Sequence, residues 1–100
     1  MKKIVLLCAQ GMSTGVMVNR MRAAAKEEGY ECTINAYPKA QAAEVGVDAD
    51  CILLGPQVRF EKADIQEAVP NVPVDIIDMK TYGRLDGVKA LDQAKKLMTD

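Results

Sequence analysis

The sequence predicts an α/β fold: three layers, α/β/α, around a four-stranded parallel sheet in the order 2-1-3-4. Three observations predict it. Strand-length apolar or alternating runs take turns with segments of helical periodicity, the pattern of parallel strands joined by right-handed crossovers. The first and third strand runs, Ile4-Val5-Leu6-Leu7 and Cys51-Ile52-Leu53-Leu54, are continuously apolar and belong where both faces are covered. The second run alternates, and the fourth carries a proline and an internal Asp75, so both belong at the edges.

The first strand spans about Lys3 to Leu7. A helix from about Thr14 to Glu28 gathers Met17, Val18, Met21, Ala24 and Ala25 on one face, with Asn19, Arg22 and Lys26 opposite. Gly29 stands where a helix C-cap is expected. The second strand, about Glu31 to Tyr37, turns Cys32, Ile34 and Ala36 one way and Thr33 and Asn35 the other. Pro38 opens a short Ala-rich helix to about Val45, closed by Gly46. The third strand, Asp50 to Leu54, is stopped by Gly55-Pro56, and a loop through Gln57 leads to a helix with Ile65, Ala68 and Val69 inward. After Pro70 the fourth strand covers about Pro73 to Asp78, and Met79 to Leu85 read as a loop containing Tyr82-Gly83. Asp86 is the expected N-cap of the last helix, whose Ala90, Leu91, Ala94, Leu97 and Met98 share a face.

One hundred residues, 49% of them hydrophobic, suffice for one core and are too few for two, so residues 1–100 are expected to form a single domain. Thirteen basic against 14 acidic residues leave a net charge of -1, with no global attraction to nucleic acid or an anionic membrane. The apolar runs fall far short of the ~20 residues that span a bilayer. Met-Lys-Lys and the apolar run to Cys8 imitate a secretion signal or a lipoprotein cleavage site. The run is shorter than the ~7–15 residues a signal requires, and bulky Leu7 precedes the would-be cut. A buried strand in a cytoplasmic protein, without membrane insertion, is the expectation.

Cys8, Cys32 and Cys51 form no CxxC pair and are odd in number, which points to thiols rather than a disulfide framework. There is no histidine. Its absence excludes Ser-His-Asp triads, Cys-His dyads and most zinc sites within the chain, so no metal and no cofactor are expected. Cys32 and Cys51 fit inward strand positions and read as structural. Cys8 does not fit that description.

Cys8 ends the first strand and opens the run Ala9-Gln10-Gly11-Met12-Ser13-Thr14-Gly15. In the order 2-1-3-4 the chain reverses direction between strands one and three, and the crevice at their carboxyl ends is where such sheets bind ligands. A loop entering a helix N-terminus exposes unpaired backbone N–H groups at the positive end of the dipole, which favours phosphate and thiolate alike. Gly11 and Gly15 remove side chains where backbone must curl around an anion, and Ser13 and Thr14 add hydroxyl donors. A cysteine nucleophile in such a cradle points to attack on phosphorus and a phosphocysteine intermediate. Cysteine-dependent phosphatases carry C-x5-R, whose arginine grips the phosphoryl group bidentately and supports its transfer to water. Here the sixth residue after Cys8 is Thr14, and the nearest arginines are Arg20 and Arg22. The pattern favours a phosphoryl relay over hydrolysis, with a small cysteine-dependent phosphatase or arsenate reductase as the alternative and a regulatory module as a third.

Cys8-Ala9-Gln10-Gly11-Met12-Ser13-Thr14, the Met21-Arg22 segment, Leu53-Leu54-Gly55-Pro56-Gln57 and Tyr82-Gly83 resemble the IIB component of the phosphoenolpyruvate-dependent sugar phosphotransferase system, in its lactose/cellobiose/chitobiose class. The resemblance covers essentially the whole chain, and implies a scaffold similar to that of the low-molecular-weight tyrosine phosphatases. It implies that Cys8 accepts phosphate from a phosphohistidine on the IIA partner and passes it, through the membrane-embedded IIC permease, to an incoming β-linked disaccharide such as cellobiose, chitobiose or lactose. It also implies that Ala9 through Gly15 form the phosphate-binding loop. Pro56, Gln57 and Tyr82 are expected to wall the crevice, Met12 to offer an interface contact, and the protein to be a monomer that meets IIC only transiently at the membrane.

With threonine in place of the phosphatase arginine, the isolated chain is expected to show no measurable turnover of p-nitrophenyl phosphate above a Cys8→Ala control.

Overall fold

The computed structural model describes residues 1–9 and 12–99. The order of elements is β1 (Lys2–Cys8), α1 (Met12–Glu28), β2 (Cys32–Pro38), a 3-10 turn (Lys39–Gln41) running into α2 (Ala42–Gly46), and β3 (Cys51–Leu54). A second 3-10 segment (Pro56–Glu61) runs into α3 (Lys62–Ala68), followed by β4 (Val74–Ile76), α4 (Met79–Gly83) and α5 (Gly87–Thr99). The four strands form one parallel sheet in the order β2-β1-β3-β4, as the strand patterns predict.

β1 explains the layering. Its residues Ile4 to Leu7 are wholly buried, and successive side chains leave a strand on opposite faces. Ile4 and Leu6 enter a core with Met17, Met21, Ile34, Leu53 and Leu91, roofed by α1 and α5. Val5 and Leu7 enter a second core with Ile52, Leu54, Val58, Ile65 and Val69, roofed by α2 and α3. Each of these strand and helix side chains contributes about 1.5–3 kcal/mol by leaving water.

The edges are handled with polar groups. Lys2 N–H donates to the Glu31 carbonyl at 3.4 Å, which turns the Ile34 carbonyl away from β1 toward the open side of β2. Arg22 of α1 donates to that carbonyl through Nε (2.9 Å) and Nη2 (2.6 Å), and through Nη2 to Asn35 Oδ1 (2.8 Å). On β4, Asp75 accepts from the Ile76 N–H (2.8 Å) and from Gln93 Nε2 (3.0 Å), so the internal aspartate is satisfied at an edge.

Three details depart from the sequence expectations. Met79 to Leu85 is not a loop: α4 occupies Met79–Gly83, capped by Asp78, whose Oδ2 accepts from the Lys80 and Thr81 N–H groups at 3.0 and 3.2 Å. Asp78 thus ends the fourth strand region as a cap rather than as a strand residue. Gly46 closes α2 for reasons of space, since a Cβ there would lie 2.7 Å from Ile52 Cδ1; the left-handed C-cap conformation occurs at Gly29, with φ 70°. The Thr14 start of the first helix moves to Met12. Asp86 caps α5 as expected, accepting from the Lys89 N–H at 3.1 Å. No helix among the described residues is long and apolar enough to cross a membrane.

Cys32 and Cys51 belong to the core on the α1 side. Burial, followed by the charge of Asp50 and by Cys32, pushes the Cys51 thiol up to about 12. Burial also raises the Cys32 thiol, against the opposing effect of Lys95. Both favour the neutral thiol at physiological pH.

Two predictions follow from the packing. A Cβ on Gly87, the first residue of α5, would lie 2.4 Å from the Arg20 carbonyl carbon and 2.5 Å from its oxygen. Gly87→Ala is therefore expected to destabilise the fold by about 2–3 kcal/mol in urea unfolding, with Gly83→Ala, where no atom lies within 4 Å, near neutral. The second prediction concerns pH. The folded Cys51 thiol titrates above its unfolded value, so the stabilising contribution is complete below about pH 9 and is lost as the pH rises toward about 12. Cys51→Ala is expected to make the alkaline fall in unfolding midpoint shallower, whatever it does to the midpoint at pH 7.

Candidate active site

Cys8 is the last residue of β1 and is 3% exposed. Its register partner on β2 is Pro38, and on the other side β1 runs beside β3, where Leu7 pairs with Leu54. The Gly55 N–H donates to the Leu7 carbonyl at 2.9 Å, carrying the pairing one step past the end of β3. β1 and β3 are the two strands at which the order reverses, so Cys8 and Gly55 sit side by side at the sheet's carboxyl edge. That is the crevice the strand patterns indicate.

After Cys8 the chain reaches the first turn of α1 within four residues. Ala9 is exposed, and Gln10 and Gly11 lie outside the described residues. Met12, Ser13 and Thr14 form the start of α1, their side chains also outside the description. In a 17-residue helix the first four N–H groups lack helical partners and carry the positive end of the dipole. Those groups belong to Met12 through Gly15, four to seven residues beyond the thiol. Gly15 is thus a helical residue, half-buried, with no atom within 4 Å of the place its Cβ would occupy. An open concavity of ≈ 480 Å3 flanks this end of α1, lined by Gly15, Val16, Asn19, Arg22 and Asn35.

The second wall comes from the segment after β3. Gly55 and Pro56 are buried, Gln57 is exposed and Val58 is buried again. The Val58 N–H donates to the Gly55 carbonyl at 3.0 Å and closes the turn. A Cβ on Gly55 would stand 2.8 Å from Gln57 Oε1, 3.7 Å from Cys8 Cβ and 3.7 Å from the Leu7 carbonyl oxygen. The Gln57 amide therefore folds back over Gly55, whose free side also faces the Cys8 Cβ. Pro56 and Gln57, expected as crevice wall, follow Gly55 in the 3-10 segment after β3. Tyr82 is half-buried on α4 and packs against the core that α1 and α5 share. It belongs to a helix, which the sequence reading did not anticipate.

Two residues of this edge escape a reading by motif. Arg59 donates through Nη1 to the Pro56 carbonyl at 2.8 Å and stacks its guanidinium on Phe60, 4.4 Å from the ring centroid. Phe60 is 82% exposed. Their signal is the three-residue spacing from Pro56 to Arg59, which gains meaning only once the segment is known to be a 3-10 turn. Among the described residues no group of three or more cysteine or acidic side chains is placed to hold a metal ion.

Comparison with known proteins adds an independent line. The family model for "PTS system, Lactose/Cellobiose specific IIB subunit" matches residues 3–93. The oligo-beta-mannoside-specific EIIB component of the phosphotransferase system from Bacillus subtilis (strain 168) is 42% identical, with 100% of this chain and 99% of that protein covered. The cellobiose-specific EIIB component of Lactococcus lactis subsp. lactis (strain IL1403) is 38% identical over 97% of this chain and 96% of that protein. Among solved structures, the cellobiose-specific IIB protein of Borrelia burgdorferi superposes with a TM-score of 0.82 at 34% identity, covering 98% of this chain and 92% of that one. The lactose-specific IIB domain of Streptococcus pneumoniae has a TM-score of 0.86 at 19% identity over 96% of each chain, a likeness of fold. Sequence and fold agree: the chain belongs to the lactose/cellobiose-specific IIB family of the sugar phosphotransferase system.

Proposed function

We propose that Cys8 is the residue on which this IIB component carries phosphate. Components of this kind are phosphotransferases that work with IIA and IIC partners. The observation that carries the proposal is positional. Cys8 ends the central strand at the switch point of the sheet, and the chain then enters a 17-residue helix, whose first N–H groups have no partner within the helix. The backbone of Ala9 through Gly15, with the Ser13 and Thr14 hydroxyls, would hold the phosphoryl oxygens.

The reaction takes the phosphoryl group from a phosphohistidine on IIA. The P–N bond breaks and its electron pair returns to the imidazole nitrogen. The P–S bond forms at Cys8 Sγ, and the thiol proton ends on the imidazole. This chain has no histidine of its own to serve as donor or base. In the second half, the P–S bond breaks and its electron pair returns to Sγ as a P–O bond forms at a sugar hydroxyl held by IIC, and the hydroxyl proton restores the Cys8 thiol. The curated relatives are named for oligo-beta-mannoside, galactose and cellobiose, which supports a β-linked sugar, with cellobiose, chitobiose and lactose as the first substrates to try. The setting would be the cytoplasm, with the protein a single-domain monomer meeting the inner face of the membrane only through IIC.

The reading favours transfer over hydrolysis because Thr14 stands where a cysteine phosphatase carries arginine. Exposed Val16, Phe60 and Met79, on α1, the 3-10 segment after β3 and the start of α4, offer apolar contact around the crevice for docking partners.

Incubation with phosphorylated IIA, regenerated from phosphoenolpyruvate, is expected to place one phosphate on the Cys8 peptide, identified by mass spectrometry. Cys8→Ala should take no label, and Cys8→Ser should deliver none to sugar. A label retained at another residue of Cys8→Ala would overturn the assignment.

A further inference from the structure

We infer that Gln57 is a ligand of the phosphoryl group on Cys8, its side-chain amide donating Nε2–H to a phosphoryl oxygen. The inference rests on the reading of Cys8 as the phosphate carrier. It follows from three observations at the end of β3.

First, the amide is in place. The point that a Cβ on Gly55 would fill lies 2.8 Å from Gln57 Oε1 and 3.7 Å from Cys8 Cβ, so the amide group and the cysteine flank the same small space. Second, that space exists because residue 55 has no side chain. Gly55 has φ -62° and ψ 149°, an extended conformation open to any residue, so what its missing side chain leaves is the room that the Gln57 amide takes, and not backbone freedom. Third, the turn carrying the amide is fixed. Pro56 and Val58 are buried on either side, Val58 N–H bonds the Gly55 carbonyl, and Arg59 holds the Pro56 carbonyl. An exposed glutamine on such a turn keeps a defined reach without serving the core.

A glutamine amide suits a site that alternates between thiol and phosphothiol. Its last torsion is broad and two-fold, so a half-turn exchanges Oε1 for Nε2 at nearly the same position. The neutral amide then presents an N–H pair to a phosphoryl group, a charge-assisted bond. It adds no fixed positive charge of the kind that would draw the phosphoryl group toward hydrolysis. Backbone N–H groups at the α1 end would hold the phosphoryl oxygens from one side and Gln57 from the other.

The test compares Gln57→Leu, Gln57→Glu, Gly55→Ala and the double variant Gly55→Ala/Gln57→Leu, each equilibrated with phosphorylated IIA. The quantities read are the fraction of phospho-Cys8 and its 31P resonance. Gln57→Leu is expected to shift the transfer equilibrium about tenfold toward IIA and to move the 31P line, with unchanged urea stability. Gln57→Glu, which sets a negative charge beside the phosphate, should shift it further in the same direction. Gly55→Ala displaces only the end of a flexible side chain, so it should fold normally and match the loss of Gln57→Leu. The double variant should lose no more than either single one, because both remove the same contact. An equilibrium for Gln57→Leu within about twofold of the parent, or losses that multiply in the double variant, would overturn the inference while leaving Cys8 as the carrier. A parent chain that takes no label on Cys8 would overturn the Cys8 reading and this one with it.

Discussion

The two-sided burial of β1 is the constraint on which the rest depends. Four consecutive residues, Ile4 to Leu7, are wholly buried, and they are shared between two cores that different helices roof. A slip of one residue would exchange the residues of the two cores, placing Leu6 against α2 and α3 and Leu7 against α1 and α5. Register is therefore pinned from both sides and also by pairing to β2 and β3. Cys8 inherits that precision. It is the last residue of the strand, next after the four residues shared by the two cores, so its position beside Gly55 is set by packing several residues away.

The polar surroundings follow a consistent economy. The chain has neither a histidine nor an arginine at position 14. What it supplies instead are dipoles: helix N–H groups, hydroxyls in the sequence and an amide folded over a glycine. Dipoles lower the energy of a bound phosphoryl group without supplying the bidentate cation that stabilises its transfer to water. Burial pushes the other two thiols toward the neutral form, Cys51 most strongly.

Much of this was legible in the residues because one physical rule governs long stretches. A strand covered on both faces is apolar throughout and an edge strand is not, and that contrast sufficed to order the sheet. The last helix was legible for the same reason: Asp86 caps it, and Ala90, Leu91 and Ala94 repeat at helical spacing into the core. What stayed hidden is short or tertiary. α4 has five residues, too few for a period to show, and its Asp78 cap looks like the last residue of a strand. Gly87 is a glycine where another segment comes close, the backbone of Arg20, and Gly46 lies against the Ile52 side chain; no local pattern announces such approaches. The motif marks Gln57, and the fold sets its amide beside Gly55, at the carboxyl end of the sheet where β1 also ends.

The anchoring of α1 has a consequence for encounter. The helix that begins beside the thiol is gripped along its middle: Met17 and Met21 lie in the core, the Arg20 backbone is pressed by Gly87, and Arg22 is clamped to the edge of β2. A protein that must receive cargo from one neighbour and surrender it to another needs contacts that form and dissolve quickly. A surface braced in this way surrenders little motional freedom on contact, so a small patch can recognise its neighbour without the extensive burial that would make departure slow. The bracing lets the patch stay small, and a small patch releases its neighbour quickly, as a courier between two docks requires.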